Sequence, residues 1–260
     1  MLLIDHRVTE RTFHSWLLIG WCVLAVATVP YLFFWSAPYG RHARDGWGPR
    51  IHRTVGWVLM EAPSPIGFAL LYAIAPRRPG LVALVFLGLW ELHYINRAFI
   101  FPFRMRGGQQ QMPLAVVASA IVFNCGNVYL NARWLSALGP EYPVAWLGDP
   151  RFLVGVVLFL AGFAINYQSD AILRGLRREP GAGYQIPRGG LYRFISCPNY
   201  FGELIEWSGW ALLTWTFAGA TFALWTAANL VPRAITHHRW YRAQFPDYPP
   251  ERKAILPLVW

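Results

Sequence analysis

The fold class expected from this sequence is all-α, a multi-pass membrane protein, and three observations carry that expectation. Hydrophobic residues make up 55% of the 260 residues and charged residues only 14%, against about 25% in soluble domains. Apolar stretches of about 20 residues, the length a bilayer demands, recur along the whole chain. The segments between them are short, and no strand is expected.

That rule places seven transmembrane helices at 14–35, 52–75, 81–101, 112–135, 152–173, 200–215 and 218–235. The first is long and lacks a small-residue cleavage site, so it is read as an anchor and not a signal peptide. The second contains LMEAPSPIGF, where Pro63 and Pro65 remove backbone donors beside Glu61 and kink the helix. A carboxyl there, among Leu59, Met60 and Phe68, is expected to hold its proton and donate a hydrogen bond to a substrate oxygen, or else to pair structurally with another helix. The third carries WELHYINRAF, with Trp90, Tyr94 and Arg97 at i, i+4, i+7 and Glu91 three residues before Tyr94. The Tyr94 phenol can serve as a proton donor or electrophile, although an interfacial role for the aromatics and snorkelling of Arg97 are the plainer readings.

Asn124 and Asn127 lie one turn apart in the fourth span. In the fifth, Asn166, Asp170, Arg174 and Arg177 share a face, in the order in which a ribose and its phosphates would be met. The sixth sets Asn199, Glu203 and Glu206 at i, i+4, i+7. Polar groups are expensive inside a membrane, so this stripe points to a ligand chamber. The seventh adds Asn229 and Arg233, and the tail HHRWYRAQFPDYPPERK brings His237, Tyr241 and Arg252. Only Thr216 and Phe217 separate the last two spans, which calls for a tight helical hairpin.

Net charge is +10, built from 22 Arg and a single Lys, Lys253. Sixteen of these cations fall in one set of connecting segments and six in the other, which puts the N-terminus outside and the C-terminus in the cytoplasm. The longest inner connection, about 174–198, is rich in Arg and Gly and reads as a phosphate-gripping loop or a solvated basic loop. The cations punctuate apolar spans instead of forming one stripe, which argues against nucleic acid. Cys22, Cys125 and Cys197 are scattered, so neither a disulfide nor a metal is expected. GxGxxG, HExxH, GxSxG and Walker sequences are absent, and any nucleotide cofactor must bind among helices and inner loops.

Six motifs occur in one order: EAPS at Glu61, HYINRAF at His93, INYQSDAILRGLR at Ile165, YQIPRGGLY at Tyr184, NYFGELIEW at Asn199 and HHRWYRAQFPDYP at His237. Through them the chain, from about Tyr39 onward, resembles the steroid 5α-reductase family, the membrane 3-oxo-5α-steroid 4-dehydrogenases. The resemblance implies NADPH-dependent reduction of the C4–C5 double bond of a 3-oxo-Δ4-steroid or a related enone lipid, with hydride reaching C5. It makes Glu61 and Tyr94 the catalytic pair that polarises the C3 carbonyl. Arg97, Asn166, Asp170, Arg174, Arg177, Tyr184, Asn199, Glu203, Arg233, His237, Tyr241 and Arg252 fall to the cofactor, and Trp57, Met60, Phe123 and Ser119 to the substrate.

The chain departs from vertebrate members at Met60, where they usually carry Gln, at Ser119, near an Arg, and at Gln185, typically Arg. It is read as one integral-membrane domain, with the polarising residues in 1–135 and most cofactor ligands in 136–260. It is expected to be a monomer in contact with membrane lipid, in the bacterial inner membrane for the bacterial homologue favoured here or the endoplasmic reticulum for a eukaryotic one. The C-terminal half is also similar to isoprenylcysteine methyltransferases and sterol reductases. A methyltransferase, or a non-enzymatic lipid transporter or receptor, is therefore the competing reading.

Overall fold

The computed structural model describes residues 6–34, 46–105, 110–176 and 183–257. Nine α-helices are described in them: α1 (His6–Phe34), α2 (Arg53–Glu61), α3 (Pro63–Ala73), α4 (Leu81–Ile95), α5 (Phe101–Arg104), α6 (Leu114–Arg133), α7 (Pro150–Gly175), α8 (Pro198–Thr214) and α9 (Phe217–Gln244). Four helical segments, Thr9–Phe34, Arg53–Ala73, Leu114–Leu138 and Pro150–Gly175, are long and apolar enough to cross a membrane. The other three expected spans fall short on their own. α4 gives way at Asn96–Ile100 to a π-helical turn, α8 has 17 residues, and α9 mixes Thr, Asn and Arg into its apolar sequence.

The second expected span is broken where its prolines stand. Ala62 closes α2, its N–H still bonded to Val58 O, and Pro63 opens α3 at a position that needs no amide donor. The expectation of no strand is corrected in one place. Arg50–His52 (β1) pairs antiparallel with Gln111–Pro113 (β2), and Arg53 donates to the Gln110 side chain beside them. Three-residue strands are too short to leave a periodic signal in sequence.

α8 and α9 form the expected hairpin. Trp215 caps α8 in the left-handed conformation (φ 49°), and the Thr216 hydroxyl accepts from Gly219 N at 3.0 Å, an N-cap for α9. α7 and α8 pack backbone to backbone. A Cβ on Gly202 would lie 2.6 Å from Asn166 N, and one on Gly209 2.5 Å from Phe159 N. Small residues permit this approach, and it sets the polar face of α7 against that of α8.

The core lies around Trp90, whose ring stacks on Phe68 at 4.4 Å and meets Tyr94, Trp207 and Trp210 within 5.6 Å. Helix α1 leaves Phe13, Trp16, Ile19 and Val23 exposed, as a lipid-facing span requires. It is tied inward by His14 Nε2 to Leu130 O at 2.9 Å and by the Arg133–Glu10 pair at 2.7 Å.

Candidate active site

A cavity of about 690 Å³ is lined by residues of α1, α2, α4, α6, α8 and α9. Its apolar wall includes Trp57, Met60, Phe123, Trp207, Phe222 and Trp225. Its polar lining includes Glu61, His93, Tyr94, Arg97, Asn124 and Glu203. Two of these polar groups meet at the proline break. Glu61 ends α2 because Pro63 follows. Asn124 of α6 donates to the Met60 carbonyl at 2.5 Å and to Glu61 Oε2 at 3.4 Å, so an amide side chain serves backbone at the proline break.

Arg97 begins the next layer. It sits in the π turn, over the rings of Trp57 at 4.7 Å and Phe101 at 5.3 Å, and its backbone carbonyl accepts from Trp57 Nε1 at 3.1 Å. Its guanidinium lies 3.7 Å from Glu61 on one side and 3.7 Å from Glu203 on the other. Glu203 accepts in turn from Asn166 Nδ2 at 3.0 Å, and Asn199 donates to Asp170 at 3.2 Å. A run of polar side chains therefore connects α6, α2, the π turn, α8 and α7.

The stripe expected on α8 divides three ways. Glu203 faces the cavity, Asn199 turns to Asp170, and Glu206 is fully buried with Oε1 2.8 Å from His93 Nδ1. Glu91, three residues before Tyr94, is not among the groups lining the cavity.

A second cluster forms where the N-terminus of α8 meets the end of α9. Arg233 Nε donates to Tyr200 OH at 3.1 Å, the His237 ring lies 5.5 Å from that of Tyr200, and Cys197 Sγ is 3.8 Å from His237 Nδ1. Tyr241 stacks on Tyr248 at 5.3 Å, and the Arg252 guanidinium lies over the same Tyr248 ring at 5.3 Å. The tail is pinned here by Lys253 N to Phe194 O and Ser196 N to Lys253 O, both 2.9 Å. Ser196 Oγ adds contacts of 2.7 Å to His238 Nδ1 and to Tyr248 OH. Burial, followed by Arg242 and Lys253, lowers the His238 pKa from its ordinary value.

Arg252 is 5% exposed, and its Nε and Nη1 find no hydrogen-bond partner among the described residues. A buried cation with idle donors suits an anionic ligand. Arg174 lies 5.9 Å from the rings of Phe101 and Tyr167, and Tyr184 packs against Trp240 at 5.0 Å. Arg177 lies outside the described residues.

The site residues read from the sequence thus fall in two places. Glu61, Tyr94, Arg97, Glu203, Trp57, Met60, Phe123 and Ser119 share the cavity. Arg233, His237, Tyr241 and Arg252 gather at the second cluster, with Asn166, Asp170 and Asn199 on the α7–α8 seam linked to Glu203. Arg174 lies over the rings of Phe101 and Tyr167, and Tyr184 packs on Trp240, which in turn meets Tyr241 at 5.2 Å.

Residues 110–260 match the sequence profile of the 3-oxo-5-alpha-steroid 4-dehydrogenases. A steroid 5-alpha-reductase of Arabidopsis thaliana is 39% identical over 260 residues, covering 98% of this chain and 99% of the relative. The 3-oxo-5-alpha-steroid 4-dehydrogenase 1 of Macaca fascicularis is 41% identical over 100% of this chain and 97% of its own length. That of Homo sapiens is 43% identical over 86% of each. This chain belongs to the 3-oxo-5-alpha-steroid 4-dehydrogenase family.

Membership in this oxidoreductase family answers the resemblance and sets aside the methyltransferase and transporter readings. These relatives come from plants and mammals, and give a bacterial source no support. Two partnerships in this family member were missed from sequence. Asn124 had been noted only for its spacing to Asn127, and its pairing with Glu61 depends on how α6 crosses the proline break. His93 and Glu206 each stood in a noted motif, yet 113 residues separate them, and only packing of α4 on α8 joins them.

Proposed function

We propose that this chain catalyses the NADPH-dependent reduction of the C4–C5 double bond of 3-oxo-Δ4-steroids or of a related enone lipid. One observation carries the reading: Glu61 and Tyr94, the acid and the phenol, line one cavity, with Asn124 and Arg97 beside the Glu61 carboxyl. The cavity volume of about 690 Å³ lies within the range of about 300–1,000 Å³ typical of small-molecule sites.

Hydride adds to the β-carbon of an enone only as negative charge develops on the carbonyl oxygen. Glu61 in its acid form and the Tyr94 hydroxyl would donate to that oxygen, stabilising the charge where it appears. Trp57, Met60 and Phe123 would enclose the apolar body, with Ser119 toward the rim. The relatives' names, which specify 3-oxo-5-alpha-steroids, accord with this.

NADPH, when bound, supplies the hydride. Arg97, Asn166, Asp170, Asn199 and Glu203 would meet its uncharged portion and ribose hydroxyls. Arg174, Arg177, Tyr184, Arg233, His237, Tyr241 and Arg252 would hold its charged end, a role the idle Arg252 donors support. For topology, the reading keeps seven spans, N-terminus outside and C-terminus cytoplasmic. The continuous run of α4, the π turn and α5, together with α8 and α9, would complete the set begun by the four apolar segments. The protein would act as a monomer within the membrane.

The test is incubation of the purified full-length protein with NADPH and progesterone, followed by product identification. A 5α-dihydro product is expected. Cofactor oxidation without a saturated C4–C5 bond, or no turnover with any 3-oxo-Δ4-steroid, would overturn the reading.

A further inference from the structure

Saturating a carbon–carbon double bond takes a hydride and a proton, and the two groups set against the carbonyl account for neither the source nor the face of the proton at C4. From the buried contact between α4 and α8 we propose that the His93–Glu206 pair delivers that proton, with His93 as the donor and Glu206 as its positioning partner. This rests on the proposed enone reduction.

His93 is 5% exposed and lines the cavity. Its Nδ1 is 2.8 Å from Glu206 Oε1, which leaves Nε2 as the ring nitrogen available to a ligand. The ring is fixed edge-to-face by Trp207 at 4.6 Å and by Tyr94 at 4.9 Å. Glu206 is 0% exposed, and its Oε2 has no hydrogen-bond partner among the described residues. A fully buried carboxylate is costly unless a cation or donor compensates it. A second proton held between His93 Nδ1 and Glu206 Oε1 does so, and the pair is then net neutral with an Nε2–H facing the cavity. The neighbouring Tyr94 and the pair then play different parts on one wall of the cavity. The phenol meets the carbonyl oxygen, and the imidazole faces carbon.

The step balances. Hydride from the reduced nicotinamide adds to C5, and the C4–C5 π electrons move to give an enolate bearing one negative charge. The enolate double-bond pair then takes the Nε2 proton: a C4–H bond forms, the Nε2–H bond breaks, and the C3 carbonyl is restored. The pair is left as neutral imidazole bonded to carboxylate, with one negative charge, and solvent returns the proton after the product leaves. General acid catalysis of this kind is worth about 10²–10⁴-fold in rate.

The experiment uses the full-length protein in lipid nanodiscs with NADPH and progesterone in D2O, under single-turnover conditions with enzyme in excess. Deuterium at C4 of the 5α-dihydro product is assigned to one face or the other by NMR. Steroid binding is followed separately by quenching of tryptophan fluorescence. The wild type is expected to place deuterium on one face. H93Q is expected to bind progesterone within about threefold of wild type, to react about 10²–10³-fold more slowly, and to label both faces, because water then protonates the enolate. E206Q is expected to lose rate with progesterone binding unchanged and keep the single face.

H93Q product with wild-type facial selectivity would overturn the proposal. So would an H93Q enzyme that binds steroid but forms no product in the time a thousandfold loss allows. An H93Q protein that no longer binds progesterone, with H93N behaving likewise, would also count against it, since His93 would then be required for the fold or the pocket. A wild type that reduces no 3-oxo-Δ4-steroid instead removes the functional reading beneath it.

Discussion

Replacing Arg97 by methionine removes the cation that stands between Glu61 and Glu203, both 3.7 Å away. Breaking the ion pair with Glu203 by deleting Arg97 costs at most about 3–5 kcal/mol. Two facts reduce that figure here. The Arg97 side chain is 20% exposed, and contacts of 3.7 Å are longer than direct hydrogen bonds. A loss of about 2–3 kcal/mol in stability is therefore expected, and kcat/KM should fall as well because Glu61 and Glu203 both line the cavity. Arg97→Lys keeps the charge but cannot lie flat on Trp57 and Phe101 while reaching both carboxylates, so a smaller loss of about 1 kcal/mol in stability is expected. Steady-state kinetics on detergent-purified variants, with thermal unfolding alongside, provide the comparison. If Arg97→Met retained wild-type kcat/KM, the bridging arrangement would have no bearing on turnover.

Glu61→Gln and Tyr94→Phe should each lower turnover about 10²–10³-fold while NADPH affinity, measured by fluorescence titration, stays near wild type. Arg252→Met should weaken NADPH binding more than NADH binding if its idle donors meet the extra phosphate, and equal losses for the two cofactors would exclude that contact. Gly202→Ala forces a Cβ to within 2.6 Å of Asn166 N and 2.7 Å of Gly162 O. Backbone on both sides cannot yield, so a loss of at least about 1–3 kcal/mol is expected, whereas Gly175→Ala, with open space around it, should leave the melting temperature nearly unchanged. His238 favours its neutral form in the fold, because burial, Arg242 and Lys253 lower its pKa. Its stabilising effect should be present above an unfolded pKa of about 6.5 and fade as pH falls below it; proteolysis of the tail should then accelerate, and His238→Asn should flatten that pH dependence.

How much was legible in the sequence varied with the kind of force involved. Helices came through because bilayer length and apolar runs are local properties. The disturbance at Glu61 and the hairpin at Thr216 came through because Pro63 acts within a turn of itself and only two residues part the last two spans. The grouping of Glu61, Tyr94, Trp57, Met60, Phe123 and Ser119 at one cavity followed motifs, not periodicity. What stayed hidden depends on distant backbones approaching. The split fates of Asn199, Glu203 and Glu206 are set by the Gly162–Gly202 contact between α7 and α8, which no single helix encodes. The π turn that aims Arg97 between two carboxylates leaves no signal in spacing, because its ring contacts to Trp57 and Phe101 form only after folding.

The most direct measurement is to follow the hydride itself. Full-length protein is incubated with NADPH carrying deuterium at the transferable C4 position of its nicotinamide and with a 3-oxo-Δ4-steroid, and the product is examined by mass spectrometry and NMR. One deuterium at C5, on the α face, is expected from the wild type, and a rate lower by about 10²–10³-fold from Glu61→Gln. A product without deuterium at C5, or wild-type labelling rates in Glu61→Gln, would contradict the assignment of this cavity as the place where the enone is reduced.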